Sequence, residues 1–374
     1  MVPRARAWLM ALALISVVTW QCAWMMHDSI GHSEHRFPRG VTIVYTINHA
    51  GLCNQLFTVA QALHDASLAA NHRHHRVMVA VDGVSPYINA PSLQPLSEFL
   101  DVAATNVALR NLTTVRLRSE TPAPTLQLGC PEGKLDPLPL ASLLARLRLT
   151  SQGAVIDRGE NCNPLIDPLE HGPRQLFTHF VFNSDVTTAA IEAWKTVCPG
   201  RYNAVHWRLE IDWVIFEVLG VMSWMSWIGA ESARPAIEAE AWNQADATGW
   251  VANFTRDYLH TLSTALAEPT LPLFVASSVN DAPDSSDPPQ AKEAFRRLRS
   301  HFNVVGLPSA AKLHANNVNA IVDLTIAENA EGFVGFGSST FSKTLTWRRR
   351  LKGKPSTLFG EERLARAFRP LGKT

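Results

Sequence analysis

The sequence predicts an α/β protein built as two Rossmann-like halves around parallel sheets. Three observations predict it. Short β-branched runs alternate with helically spaced apolar residues along most of the chain, the signature of repeated strand–helix units. The residues best suited to holding an anion fall just after strands, where open parallel sheets take their ligands. A length of 374 residues, with 46% apolar and 18% charged content, supplies two cores of ordinary size.

The net charge of +1 gives no general field for nucleic acid or another acidic polymer. Any anion must therefore be met by a local site, and nucleic acid is not an expected partner.

At the N-terminus, Arg4 and Arg6 precede an uncharged apolar run from Ala7 to Met26. About 20 such residues suffice to cross a bilayer as a helix. A cleaved signal peptide is the rival reading, but its apolar core ordinarily spans only about 7–15 residues. Trp20, Gln21, Cys22 and Trp24 also make a poor cleavage region. The expectation is a cytosolic tip and membrane anchor over residues 1–26, a polar stem over 27–40, and a lumenal body. Asn111-Leu112-Thr113 and Asn253-Phe254-Thr255 are N-glycosylation acceptor triplets, in keeping with that compartment. Cys53, Cys130, Cys162 and Cys198 form an even set outside the anchor. They predict up to two disulfides in one of three pairings, with four unrelated thiols as the plain alternative. Their spacing is not that of a zinc site.

The first half is placed at residues 41–198. Val41 to Thr46 is a strand by its β-branched content, followed by Asn48 to Phe57, a helical spacing from Gln55 to Ala70, and a second strand at Val77–Val81. The turn into that helix presents backbone N–H groups to a phosphate or sugar, or is an ordinary turn capped by Asn54. It lacks the glycine fingerprint of a dinucleotide site. Residues 86–173 are rich in Leu and Pro, with a helix near 139–149 and a short strand near 154–156. A helix at 187–196 closes the half, and Cys198-Pro199-Gly200 marks the boundary.

The second half spans 199–374. Tyr202 to Val205 form a strand that runs into His206, Arg208, Glu210 and Asp212. Strand alternation would set all four on one face. An Arg there can grip two phosphate oxygens, or can simply pair with a carboxylate. Trp213 to Ala230 is strongly apolar, but Glu217 in its middle argues for a buried or cleft-lining segment rather than a second span. Helices at 252–266, 291–301, 319–331 and 339–349 then alternate with strands at 271–278, 302–307 and 332–336. Between them, Asp284-Ser285-Ser286-Asp287 reads as solvated loop rather than a metal site. In the last unit, Gly335 to Ser342 joins a strand to a helix. Ser339 and Thr340 supply hydroxyls and helix N-terminal amides for a phosphate, or merely cap the helix.

Together these pieces resemble a known family. An Asn54-Gln55 loop, then His206-x-Arg208 with Asp212-Trp213, then Asp323 followed by Ser339-Thr340-Phe341, is similar to the GDP-fucose protein O-fucosyltransferase family and its wider fucosyltransferase superfamily. The likeness is local at 48–60 and 203–213, broader over 271–349, and does not extend to 86–198. It implies a GT-B architecture, two Rossmann-like domains facing a cleft. It implies metal-independent, inverting transfer from GDP-fucose, with no cofactor beyond that donor substrate. By position, Arg208 would hold the phosphates and assist departure of GDP. His206 and Asp323 would lie near the nucleoside. Ser339, Thr340 and Phe341 would close on the phosphates and base, and Gly51 and Asn54 would approach the fucose. Glu210 and Asp212 are the candidates for a general base, though either serves equally as an ion-pair partner of Arg208. The family has Gly before Asn-Gln, where this chain has Cys53. The run Asn54-Gln55-Leu56-Phe57 is also similar to α1,2-fucosyltransferases, which leaves both a protein hydroxyl and a glycan as acceptor.

The reading expected is thus a type II membrane glycosyltransferase of the Golgi or ER. Its alternatives are the same fold with another nucleotide-sugar donor, and a catalytically inactive membrane-tethered lectin or scaffold.

Overall fold

The computed structural model describes residues 40–45, 51–70, 76–81, 83–84, 93–120, 126–127, 154–157, 171–209, 245–277, 287–306, 316–337 and 339–360. The expected anchor, the stem up to residue 39, Glu210, Asp212, Cys130, Cys162, the 139–149 helix and the 213–230 segment lie outside these residues, while Gly40, expected to end the stem, begins the first strand. Among the described residues, no helix is long and apolar enough to cross a membrane.

Two five-stranded sheets, each wholly parallel, organise the chain. The first runs β3-β2-β1-β5-β4, with β1 at Gly40–Tyr45, β2 at Arg76–Val81, β3 at Arg116–Leu117, β4 at Leu126–Gln127 and β5 at Ala154–Asp157. Its central strand β1 pairs Val44 with Ala80 on one side and with Asp157 on the other. Helices α1 (Leu52–Ala70), α2 (Val102–Leu109) and α3 (His171–Thr178) pack about it. The second sheet runs β10-β9-β6-β7-β8, with β6 at Asn203–His206, β7 at Leu273–Ala276, β8 at Val304–Val305, β9 at Phe333–Phe336 and β10 at Ser356–Phe359. In chain order this is the 3-2-1-4-5 arrangement of a Rossmann half, whose strand order reverses between β6 and β9.

The second sheet is covered on both faces, which is why β6 and β9 are buried at every residue. Val205, Trp207 and Leu209 pack towards α5 (Ala245–Ala265) and α6 (Pro289–His301). Ala204 belongs to the other core, with α4 (Ser184–Val197), α7 (Asn316–Asn329) and α8 (Thr340–Leu351). That second core runs on without a break into α1, α3 and the first sheet. Phe57 of α1 meets Phe177 edge-on at 5.8 Å and Trp347 of α8 at 6.4 Å. Such contacts each add about 0.5–1.5 kcal/mol beyond area burial. Helix α4, which precedes Cys198, already packs against α7, with Trp194 edge-on to Tyr202 at 4.8 Å and to Phe274 at 5.0 Å.

Three expectations need correction. The helix of the first unit begins at Leu52 rather than Gln55, so Asn54 lies inside its first turn and does not cap it. Gly51 instead supplies the carbonyl that receives the Asn54 and Gln55 N–H groups at 2.9 and 3.1 Å. Strand alternation stops at His206. The Trp207 N–H still reaches the Ala276 carbonyl at 3.0 Å, but β7 and β9 end there and offer no rung beyond. Arg208 therefore follows on non-strand backbone. Finally, Cys53 and Cys198 are free and buried, so the two-disulfide framework does not form. Of the glycosylation triplets, Asn111 lies in the exposed turn after α2, while Asn253 is exposed on α5 with Thr255 buried and bonded to the Val251 carbonyl at 2.7 Å.

Candidate active site

The candidate site lies where β6 and β9 end, beside the first turns of α8 and α1. Ser339 caps α8, its hydroxyl accepting the Ser342 N–H. Thr340 and Phe341 open the helix, and no acidic residue occupies that first turn. A helix start free of acidic residues carries partial positive charge, which suits phosphate.

One buried side chain ties this helix to β6. Ser342 is fully buried, accepts the Phe336 N–H at 2.8 Å, and lies 2.7 Å from His206 Nδ1. Gly335 makes the approach possible, because a Cβ there would stand 2.7 Å from both the Phe333 ring and Ser342 Cβ. Phe341 packs on the imidazole with ring centroids 4.6 Å apart. Burial, and secondarily the Arg208 charge, push the His206 pKa down to about 3. The ring is therefore neutral at physiological pH, and its role is hydrogen bonding rather than charge.

From the opposite face, Tyr258 of α5 donates its hydroxyl to the His206 carbonyl at 2.8 Å and lies 3.3 Å from the Val334 carbonyl. Burial pushes its pKa well up, so it stays a donor. Its ring stacks on Trp207 at 5.3 Å and 13°. The strand end bearing Arg208 thus rests on an aromatic platform. An open groove of about 540 Å³ lined by Arg256, Asp257, His260, Thr261 and Phe359 lies on this α5 side of the sheet, whereas His206 faces α8.

The first half reaches the same place through Cys53. Its thiol lies beside Thr344 of α8. Burial pushes its pKa up to about 12, although Thr344 and Arg348 oppose the rise. It is a packing thiol, not a nucleophile. This contact sets the Gly51–Asn54 turn against the α8 turn that follows Ser342.

Helix α8 therefore brings three sequence-predicted groups to one locality: Gly51 with Asn54, His206 with Arg208, and Ser339 with Thr340 and Phe341. Arg208 is half-buried beside His206. Asp323, also half-buried, sits midway along α7, which packs on β6, β7 and α8. Glu210 and Asp212 fall outside the described residues. Among the described residues, no cluster of His, Cys, Asp or Glu is arranged to hold a metal.

Sequence reasoning missed Ser342, Tyr258, Thr344 and the meaning of Gly335. Ser342 carried a faint signal as a hydroxyl three residues past the cap, but its histidine partner is 136 positions away. For Tyr258 there was none.

No family model and no curated protein matches the sequence. Solved structures do. The apo form of POFUT1 matches at a TM-score of 0.51 and 14% identity, over 88% of this chain and 100% of that one. POFUT1 with GDP gives 0.51 and 14%, over 87% and 99%. POFUT1 with GDP-fucose gives 0.50 and 14%, over 88% and 99%. With its two parallel α/β halves and its site at the β6–β9 reversal, this chain is similar in fold to POFUT1, a GT-B architecture.

Proposed function

We propose that the protein is a fucosyltransferase that moves fucose from GDP-fucose to a protein hydroxyl or a glycan, with inversion and without a metal. The observation that carries this reading is the meeting of the His206–Arg208 strand end with the acid-free N-terminus of α8. It occurs at the topological switch point of a sheet whose fold resembles a protein solved with GDP-fucose. The resemblance in the motifs points the same way.

In this reading the diphosphate sits between the Arg208 guanidinium and the first amides of α8, with the Ser339 and Thr340 hydroxyls beside it. The acceptor oxygen attacks the sugar carbon from the face opposite the phosphate. The bond from that carbon to the β-phosphate oxygen breaks, and its electron pair leaves on GDP. A fixed guanidinium and preorganised N–H groups stabilise that growing charge more in the transition state than in the ground state. Glu210 and Asp212 remain the candidates to take the acceptor proton. Phe341 and Asp323 contact the nucleoside side, and Gly51 and Asn54 the sugar. The lumenal Golgi or ER location and the membrane anchor belong to this same proposal.

The deciding experiment is calorimetric titration of the protein with GDP-fucose and with other GDP- and UDP-sugars, paired with turnover. GDP-fucose is expected to bind selectively. Arg208→Ala should lower turnover at least a hundredfold while moving the melting temperature little. Preference for another donor would retain the fold and discard fucose. Absence of binding to any nucleotide sugar would favour a tethered lectin or scaffold.

A further inference from the structure

We propose that Ser342 is a positioning residue for the donor: it locks His206 as the Nε2–H tautomer, so that the imidazole offers one N–H to an acceptor oxygen of the ligand. The inference rests on the donor site proposed above and adds a residue that the motifs do not assign.

A hydroxyl carries one hydrogen and two lone pairs. The Ser342 oxygen spends one lone pair on the Phe336 N–H, at 2.8 Å. The hydroxyl is fully buried, so its hydrogen is expected on a protein acceptor. Among the described residues the one acceptor in reach is His206 Nδ1, at 2.7 Å. The proton therefore points at Nδ1, and a neutral imidazole accepting there carries its own hydrogen on Nε2. Burial of the ring supports the neutral form over the whole working pH range. His206 keeps 6% exposure, and Nε2 makes no hydrogen bond among the described residues. A lone N–H is thus held ready at the end of β6, its ring fixed by Phe341 at 4.6 Å.

Two consequences follow from the tautomer. His206 cannot serve as the general base, because its one lone pair is already occupied. The ligand atom it meets must be able to accept a hydrogen bond, such as a phosphate oxygen, a nucleobase carbonyl or a sugar hydroxyl oxygen. Gly335 belongs to the device, since any side chain there would push Ser342 away from the ring.

The test uses the full-length chain labelled with 15N-histidine, with the His206 resonance assigned by its loss in His206→Gln. Long-range proton–nitrogen correlation should show a protonated Nε2 and a bare Nδ1. In Ser342→Ala the two tautomers should mix. GDP-fucose should bind about tenfold more weakly, the size of one oriented hydrogen bond, and the rise should appear in KM with kcat nearly unchanged. Ser342→Cys, which keeps a weak donor, should recover part of the affinity. A protonated Nδ1 in the unsubstituted protein overturns the proposal whatever the Ser342 variants do. A tautomer change with unaltered donor affinity overturns the recognition role. If Nε2 is protonated and responds to Ser342→Ala, yet no GDP-sugar binds, the donor reading itself has failed and the proposal with it.

Discussion

Burial sets the chemistry of single residues here, and His206 is the clearest case. In an unfolded chain its imidazole titrates near 6.5, and in the folded protein only at about 3. Between those values the unfolded state binds a proton that the folded state refuses. Stability contributed by the neutral ring is complete above about pH 6.5 and falls as the pH drops towards 3. Denaturant unfolding at pH 7 and pH 5 should therefore show the wild type losing about 2 kcal/mol more than His206→Gln. Equal losses would mean that the ring is not buried neutral. Composition could not disclose this. One histidine among fourteen becomes special only because a strand end, a helix start and a phenyl ring enclose it. The site was legible in the sequence where short motifs carry it: the His206–Arg208 pair and the Ser339–Phe341 turn. It was illegible where a polar side chain is satisfied inside a core, as with Ser342 and Tyr258.

Among the elements, α8 does several tasks along one length. Its first turn faces the candidate site, its middle meets the first half through Thr344 and Trp347, and its end holds Arg349. That arginine is fully buried and has no carboxylate partner in its hydrogen bonds. Its guanidinium donates to the Ala327, Glu328, Ala330, Glu331 and Pro355 carbonyls and to the Ser356 hydroxyl, over 2.8–3.1 Å. Burial lowers its pKa to about 10, so it remains charged. It closes the C-terminus of α7, where helix carbonyls lack partners and carry partial negative charge, and fastens it to the entry of β10. Arg349→Met should cost at least about 3 kcal/mol, because several buried carbonyls lose their donors at once. A loss under 1 kcal/mol in chemical denaturation would contradict this account. The strong strand–helix units were readable from periodicity, and α5 and α7 differ from expectation mainly at their starts. Helix α2 and strand β10 were not. The first is eight residues with little polar contrast, and the second is four half-buried residues after a Pro.

Across the whole molecule, the two halves are joined by Arg348. Its guanidinium bonds the Phe180 carbonyl at 2.6 Å, pairs with Glu328 at 3.2 Å, and lies 4.8 Å over the Phe182 ring. Burial alone would raise the Glu328 pKa, but Arg348 and Lys352 outweigh it and hold the carboxyl below its usual range. Arg348→Gln leaves that buried carboxylate to Lys352, 3.0 Å away, and releases the segment before α4. We expect a loss of about 3 kcal/mol, and faster proteolysis between α3 and α4 under native conditions. Unchanged cleavage there would show that the aromatic contacts of Phe57 and Trp347 hold the halves together unaided.

The order of strands in the second sheet also has a history, written in time. Strand β6 lies at the centre, yet its neighbour β9 is 130 residues further along the chain. At synthesis rates of about 5–20 residues per second, β6 waits on the order of ten seconds for that neighbour. The first sheet has every strand in hand once residue 157 has emerged, whereas the second is complete only when residue 359 has. During the delay Ala204 and Val205 lack half their partners and invite wrong ones. The hydroxyl that orients His206 does not yet exist. The centre of this sheet is therefore left open longest during synthesis, and the candidate site is among the last features to be made.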